Sequence, residues 1–226
     1  MYIANTNSTN TLLKELIAQG NPPEFIYASY QTAGRGQTGN HWESEEGKNL
    51  LCSILLPPDK NLYFLNIAVG VAIVRMIGDD FTIKWPNDIY WGDKKVAGIL
   101  IENEIVGNEI RHSIAGIGLN VNQTAFHSDA PNPISLKQIT GKEYDIDQLM
   151  QDLYEAVKTA LNEPEERIWS EYKAHLYRRE GYWPFEDKNG PFEAQIQDIL
   201  PTGEIVLRDR QSKKRTYHFK QVRYIL

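Results

Sequence analysis

Three glycines fall within Gly34-Arg35-Gly36-Gln37-Thr38-Gly39, and two short lysine-bearing blocks follow, Lys84-Trp85-Pro86-Asn87-Asp88 and Lys95-Val96-Ala97-Gly98-Ile99. Glycines let a loop take positive φ and bring backbone N–H groups close to an anion, and Arg35, Lys84 and Lys95 add positive charge. Such a set points to chemistry on a phosphate. It is not a P-loop, because no Gly-x-x-x-x-Gly-Lys-Ser/Thr occurs, and the spacing from Gly34 to Gly39 does not fit a dinucleotide fingerprint. Taken alone, the segment reads equally well as a flexible surface loop.

Its surroundings narrow the choice. Phe25-Ile26-Tyr27-Ala28 and Leu50–Leu56 read as strands, so the loop joins two sheet elements. Asn7 or Ser8 is placed to cap a helix carrying Leu12, Leu13, Leu16 and Ile17, ended by Gly20 and Pro22-Pro23. Residues 65–77 are apolar on most sides, as a helix packed on a sheet should be. A strand over 81–85 stops at Pro86. Two further strands, 96–105 and 110–119, meet at Gly107-Asn108, a dipeptide suited to a tight hairpin turn. The second runs into Gly116-Ile117-Gly118-Leu119-Asn120, where the glycines mark either a bulge or a close approach to a ligand. Helical periods cover 147–161 and 165–176, with Trp169 and Tyr172 read as core. After residue 180 the pattern changes to short strands at 192–197, 204–207, 216–219 and 222–226, which suggests a small β-barrel.

Composition excludes several classes. No apolar run is long enough to cross a bilayer, and Met1-Tyr2-Ile3-Ala4-Asn5 has neither the basic nor the apolar part of a secretory signal. A cytoplasmic protein is the expectation. The single cysteine, Cys52, sits in an apolar run and reads as a buried structural thiol. Its count excludes a thiolate zinc site, and the five histidines have no metal-ligand spacing. A net charge of −6 argues against general nucleic-acid binding, and Lys213-Lys214-Arg215 reads as a solvated hairpin face.

Taken in order, Ser8-Thr9-Asn10, Gln31-Thr32-Ala33-Gly34-Arg35-Gly36, Trp42, Gly47-Lys48-Asn49-Leu50, Lys84–Asp88, Lys95–Glu102 and Gly116–Asn122 resemble the biotin protein ligases. The resemblance implies an α+β fold. Residues 1–179 would form a mixed-sheet catalytic domain of the class II aminoacyl-tRNA synthetase and biotin ligase type, and 180–226 a small SH3-like barrel. The implied activity is two-step: ATP and Mg²⁺ activate biotin as biotinyl-5′-AMP, and a lysine of a biotin carboxyl carrier domain of acetyl-CoA carboxylase, or of a related biotin-dependent carboxylase, takes the acyl group.

Roles follow from the same resemblance. Lys95, Arg35 and Asp88 are the implied catalytic residues, the first two stabilising negative charge and Asp88 orienting or deprotonating the incoming lysine. Ser8, Thr9, Asn10 and Gln31 would meet the ureido head of biotin, with Arg35, Gly36, Gln37, Lys95, Gly98, Gly116 and Gly118 completing the biotin site. Trp42 would stack on adenine, with Arg35, Lys84, Asn87, Lys95 and Asn120 on the nucleotide. No protein ligand for a metal is assigned; Mg²⁺ is carried by ATP. The chain departs from the family at Gln37, where arginine is common, so loop closure over the adenylate is expected to rely more on backbone contacts. No helix-turn-helix segment precedes Ser8, so operator binding is not expected. The resemblance also admits a homodimer through the sheet. The rivals are a lipoate or octanoate ligase, which needs a long apolar slot instead of ureido donors; a non-catalytic biotin or nucleotide sensor; and an RNA-binding module using the barrel.

Overall fold

The computed structural model describes the 226 residues apart from 38, 39, 59, 107, 108 and 129–131. Gly39 of the glycine segment and the proposed Gly107-Asn108 turn therefore lie outside the described residues. The first seven strands form one mixed sheet: β1 (Tyr2–Thr6), β2 (Phe25–Gln31), β3 (Leu50–Leu56), β4 (Phe81–Lys84), β5 (Asp88–Trp91), β6 (Lys94–Val106) and β7 (Glu109–Leu119). Their order is β1-β2-β3-β7-β6-β5-β4, with β1 parallel to β2 and every other pair antiparallel.

Strand alternation gives this sheet two different faces. Cys52 and Ile54 of β3, Ile99 of β6 and Ala115 and Ile117 of β7 join the main core beneath α2 (Leu62–Ile77), α4 (Ile146–Asn162) and α5 (Glu165–Ala174). Helix α2 is buried from Phe64 to Val74 except at Asn66, which explains its lack of a polar stripe. It begins three residues ahead of the apolar-period reading because the Asn61 side chain accepts from the N–H groups of Tyr63 and Phe64 at 2.9 and 3.2 Å. The opposite face carries α1 (Thr9–Ala18), whose Leu13 and Ile17 pack on Ile26 and Ile114. Burying each such side chain contributes about 1.5–3 kcal/mol. The functional residues lie on this second face.

Four elements escaped the sequence pattern, one of them α3 (Leu136–Thr140), whose five residues are too few to show a period. Strand β1 is an edge strand with no buried residue, so it lacks an apolar alternation. Strand β5 hides behind Pro86-Asn87: the turn is Trp85–Asn87, and Asp88 opens a strand opposite Lys84 rather than forming the turn. The last five strands, β8 (Trp183–Asp187), β9 (Gly190–Ile199), β10 (Ile205–Asp209), β11 (Lys214–Tyr217) and β12 (Val222–Tyr224), form an antiparallel sheet in the order β11-β10-β9-β8-β12. Of these, β8 was overlooked because Pro184 interrupts it. The basic run is not wholly a solvated face either. Arg215 is half-buried and bridges Asp209 and Asp187 at 3.0 and 3.5 Å.

The small sheet is fastened to the large one. Trp85 Nε1 donates to the Gly203 carbonyl at 2.9 Å, the Trp85 ring meets Phe219 edge-on, and Arg178 donates to the Ile225 carbonyl at 2.8 Å. Trp169 and Tyr172 belong to the core, as expected, and Cys52 is 1% exposed, with burial pushing its thiol far above the ordinary range.

Candidate active site

The N-terminal turn of α1 is polar and yet buried: Ser8, Thr9 and Asn10 are 6, 3 and 3% exposed. Buried polar groups need partners, and sheet residues supply them. Gln31 Oε1, at the end of β2, accepts from the Thr9 N–H at 2.7 Å and from its hydroxyl at 3.1 Å. Ser53 of β3, fully buried, places its hydroxyl 2.8 Å from Thr9 Oγ1 and 2.5 Å from Asn10 Oδ1. Asn10 Nδ2 donates to Glu102 at 2.7 Å. Ser8 stands at the N-cap, but its side chain makes no capping bond; its N–H donates to Asn7 Oδ1. The capping and site functions are thus separated.

Positive charge gathers at the other end. Lys95 is the second residue of β6, its N–H bonded to the Asn132 carbonyl and its own carbonyl to the Ile134 N–H. A register shift between Ile89 and Tyr90 lets its ammonium reach Asp88 Oδ1 at 2.7 Å. Lys84 donates to the Tyr90 hydroxyl at 3.0 Å and lies 5.1 Å from the Tyr224 ring; burial, opposed by Asp88, holds its ammonium below the ordinary lysine range. Arg35 meets Glu102 and the Thr11 hydroxyl at 3.1 and 3.2 Å.

Between the two ends lies Trp42. Its ring is 5.4 Å from the Lys95 ammonium, and its indole N–H is buried without an acceptor. A Cβ on Gly118 would collide with this indole, one on Gly116 with the Asn10 amide, and one on Gly98 would come within 3.1 Å of Trp42 and 3.2 Å of Lys95 Nζ. The glycines of β6 and β7 are therefore required for close approach, but by the side chains that line the site. The Gly34–Trp42 segment also differs from a phosphate cradle. Among its described residues, Gly36 N–H donates to Asn40 O, Trp42 N–H to Gly34 O and Asn40 N–H to Gln37 O. Arg35, Gly36, Gln37 and Trp42 of this segment line the cleft.

A cleft of about 470 Å³ joins both ends. Every sequence-derived site residue lines it except Asn120, whose amide donates to the Ile134 carbonyl at 3.2 Å. Asn87 does line it, with its amide committed to the Ile99 carbonyl. Sequence reasoning missed three contributors: Ser53, Glu102, and the β12 segment, which brings Phe219, Lys220, Val222, Arg223 and Tyr224 to the cleft. Strand parity was the available signal for Glu102, whereas Ser53 is placed only by the register of β3 against β7. Ser53 lies opposite Gly116, and Glu102 shares the face of Gly98 and Leu100.

Among the described residues, no group of three or more His, Cys, Asp or Glu side chains is gathered to hold a metal ion. The cationic end suits an anion, and the orphaned indole N–H offers a donor to a bound ligand. Nor is any helix among the described residues long and apolar enough to cross a membrane.

Known proteins resemble this chain in sequence and in fold. Residues 2–120 match the sequence model of the Biotin/lipoate A/B protein ligase family. The chain is 32% identical over 232 aligned positions to the bifunctional ligase/repressor BirA of Bacillus spizizenii, covering 93% of this chain and 70% of that protein. It is 29% identical to a biotin--[acetyl-CoA-carboxylase] ligase of Paracoccus denitrificans, over 66% of this chain and 67% of that one. In three dimensions it resembles the biotin protein ligase from Aquifex aeolicus solved in complex with biotin and ATP, with a TM-score of 0.81, 23% identity and coverage of 100% and 98% of the two chains. With the matched region spanning more than half its length, the chain belongs to the biotin/lipoate protein ligase family.

Proposed function

We propose that this protein is an ATP-dependent biotin protein ligase, which activates biotin as biotinyl-5′-AMP and transfers it to a lysine of a biotin carboxyl carrier domain. The observation that carries the reading is the joining, in one cleft, of a buried neutral network and a cationic end across Trp42. A urea head is uncharged and demands fixed donors and acceptors, which Thr9, Asn10, Gln31 and Ser53 supply. A lipoyl or octanoyl chain has no urea head for this polar end to read, so these groups would add nothing to its binding.

In the first step a carboxylate oxygen of biotin attacks the α-phosphorus of ATP. The bond from that phosphorus to the oxygen bridging the β-phosphate breaks, and pyrophosphate leaves. Negative charge grows on the phosphoryl oxygens, where Lys95 and Arg35 stabilise it, with Lys84 close by. Lys95 and Arg35 exchange Asp88 and Glu102 for the nucleotide as they do so. Trp42 stacks on the adenine, and Mg²⁺ arrives as part of the Mg-ATP substrate. In the second step the carrier amine attacks the acyl carbon, the acyl–oxygen bond to the phosphate breaks, and AMP leaves. That amine must first lose a proton, since its pKa is about 10.4, and Asp88, released from Lys95, is the group placed to orient or accept it.

In this reading residues 1–179 are the catalytic domain, 180–226 close the nucleotide side of the cleft, and the protein acts in the cytoplasm on a carrier domain of a biotin-dependent carboxylase. The Paracoccus relative, named for acetyl-CoA carboxylase, supports that partner class. The test follows AMP and pyrophosphate release from Mg-ATP with biotin, lipoate or octanoate, together with the mass of an added carrier domain. Turnover with biotin alone and one biotin gained by the carrier is the expected result. Turnover with lipoate, or binding without any AMP, would sink the reading.

A further inference from the structure

Glu102 lies on β6 beyond the lysine block, with a side chain 20% exposed and three donors on its carboxylate. Oε2 accepts from Asn10 Nδ2 at 2.7 Å and from Arg35 Nη2 at 3.1 Å, and Oε1 pairs with Lys14 of α1 at 3.1 Å. A carboxylate in this setting only accepts, so the contact decides which way the Asn10 amide faces. Nδ2 turns to Glu102, and Oδ1 turns to Ser53 and to the bare backbone at Gly116. The Leu100 carbonyl also accepts from Nδ2, at 3.5 Å, so without Glu102 only that long contact opposes a rotation that would exchange the amide's acceptor for its donor. For a neutral ligand read by hydrogen bonds, that exchange leaves groups unpaired on both sides.

The same oxygen that holds Asn10 also holds Arg35. One atom thus joins the neutral subsite to the phosphate-side cation. Burial alone would favour the neutral acid, but the bonds from Asn10 and Lys14 and the charges of Lys14 and Arg35 keep the Glu102 carboxyl below its ordinary range.

We propose that Glu102 is a positioning residue of the biotin subsite, which fixes the amide polarity of Asn10 and ties that subsite to Arg35. The proposal rests on the biotin-ligase reading. Glu102 acts through Asn10 and Arg35 rather than on a reacting atom, so its removal should weaken biotin binding more than it slows chemistry.

The test is calorimetric titration of biotin into the wild-type protein, Glu102→Ala, Glu102→Gln, Asn10→Ala and the Asn10→Ala/Glu102→Ala pair, with kcat and both KM values for adenylate formation. Glu102→Ala should raise the biotin Kd about tenfold to a hundredfold, a larger change than in kcat at saturation or in KM for ATP. Glu102→Gln, whose carbonyl still accepts from Asn10, should recover most of the affinity. The double variant should bind no more weakly than the weaker single variant, because both remove one interaction. Additive losses, or a fall in kcat with biotin binding intact, would overturn the proposal. Should Glu102→Ala not fold, Glu102→Leu in the same cycle gives the same reading. A wild-type protein that fails to bind biotin overturns the ligase reading and this inference together; wild-type binding with no change in any Glu102 variant overturns the inference alone.

Discussion

At one end of the cleft Thr9, Asn10, Gln31 and Ser53 form a neutral, buried and mutually bonded network, whereas at the other Lys95, Arg35 and Lys84 hold charge against Asp88, Glu102 and aromatic rings. The neutral end is finished before a ligand arrives, because buried dipoles without partners would destabilise the fold itself. The charged end is finished by exchange. Each cation has a carboxylate or ring that an incoming phosphate must replace, so its binding should weaken with ionic strength while that of the neutral end hardly changes.

The sharpest way to break this contrast is Lys95→Ala. Formation of biotinyl-adenylate should fall about a hundredfold to a thousandfold, with biotin affinity changed far less. A loss confined to biotin affinity would show that the two ends do not divide the work. Next in size is Asp88→Asn, which should slow transfer from preformed adenylate to the carrier lysine about tenfold to a hundredfold in a single-turnover assay. Normal transfer would remove Asp88 from the second step and leave it as a counter-ion of Lys95. Ser53→Ala comes third: one hydrogen-bonding partner lost to Thr9 and Asn10 is worth about 1 kcal/mol, or roughly fivefold in biotin Kd, with KM for ATP unchanged. A shift in the ATP value instead would mean that the boundary between the two ends lies elsewhere.

The smallest effect lies outside the cleft and serves as its control. The Tyr217 hydroxyl above all, then the Asn189 N–H and Arg215, hold the Asp187 carboxyl below its ordinary range. The folded value lies under the unfolded one, so this stability is present above about pH 4 and is lost as the pH falls through the folded value. Thermal melts of Asp187→Asn should therefore start lower at neutral pH and decline less steeply than wild type below about pH 4. Biotin binding at pH 7 should be unaffected; a change there would couple the small sheet to the neutral end.

Much of this was legible in the sequence, and unevenly so. Residues carried by the blocks that resemble the biotin protein ligases stood out: glycines at Gly98, Gly116 and Gly118, cations at Arg35, Lys84 and Lys95, and polar residues at Ser8–Asn10. Ser53 did not, because one serine within Leu50–Leu56 says nothing about which face it occupies until the register opposite β7 is known. Phe219–Tyr224 escaped for a related reason: only the docking of the second sheet through Trp85 and Gly203 brings that segment to the cleft. The glycine loop misled in detail. Its glycines suggested N–H groups free to meet an anion, while Gly36 spends its own on Asn40.

The lone thiol has a practical consequence. Cys52 sits in the core face of β3, 1% exposed, with ionisation suppressed by burial, so it should be inert to maleimide labelling of the folded protein. Introduced cysteines on either sheet would then carry fluorophores at chosen positions without removing the native one. Resonance energy transfer across the Trp85–Gly203 seam would report, molecule by molecule, whether the two sheets shift relative to each other as the nucleotide enters.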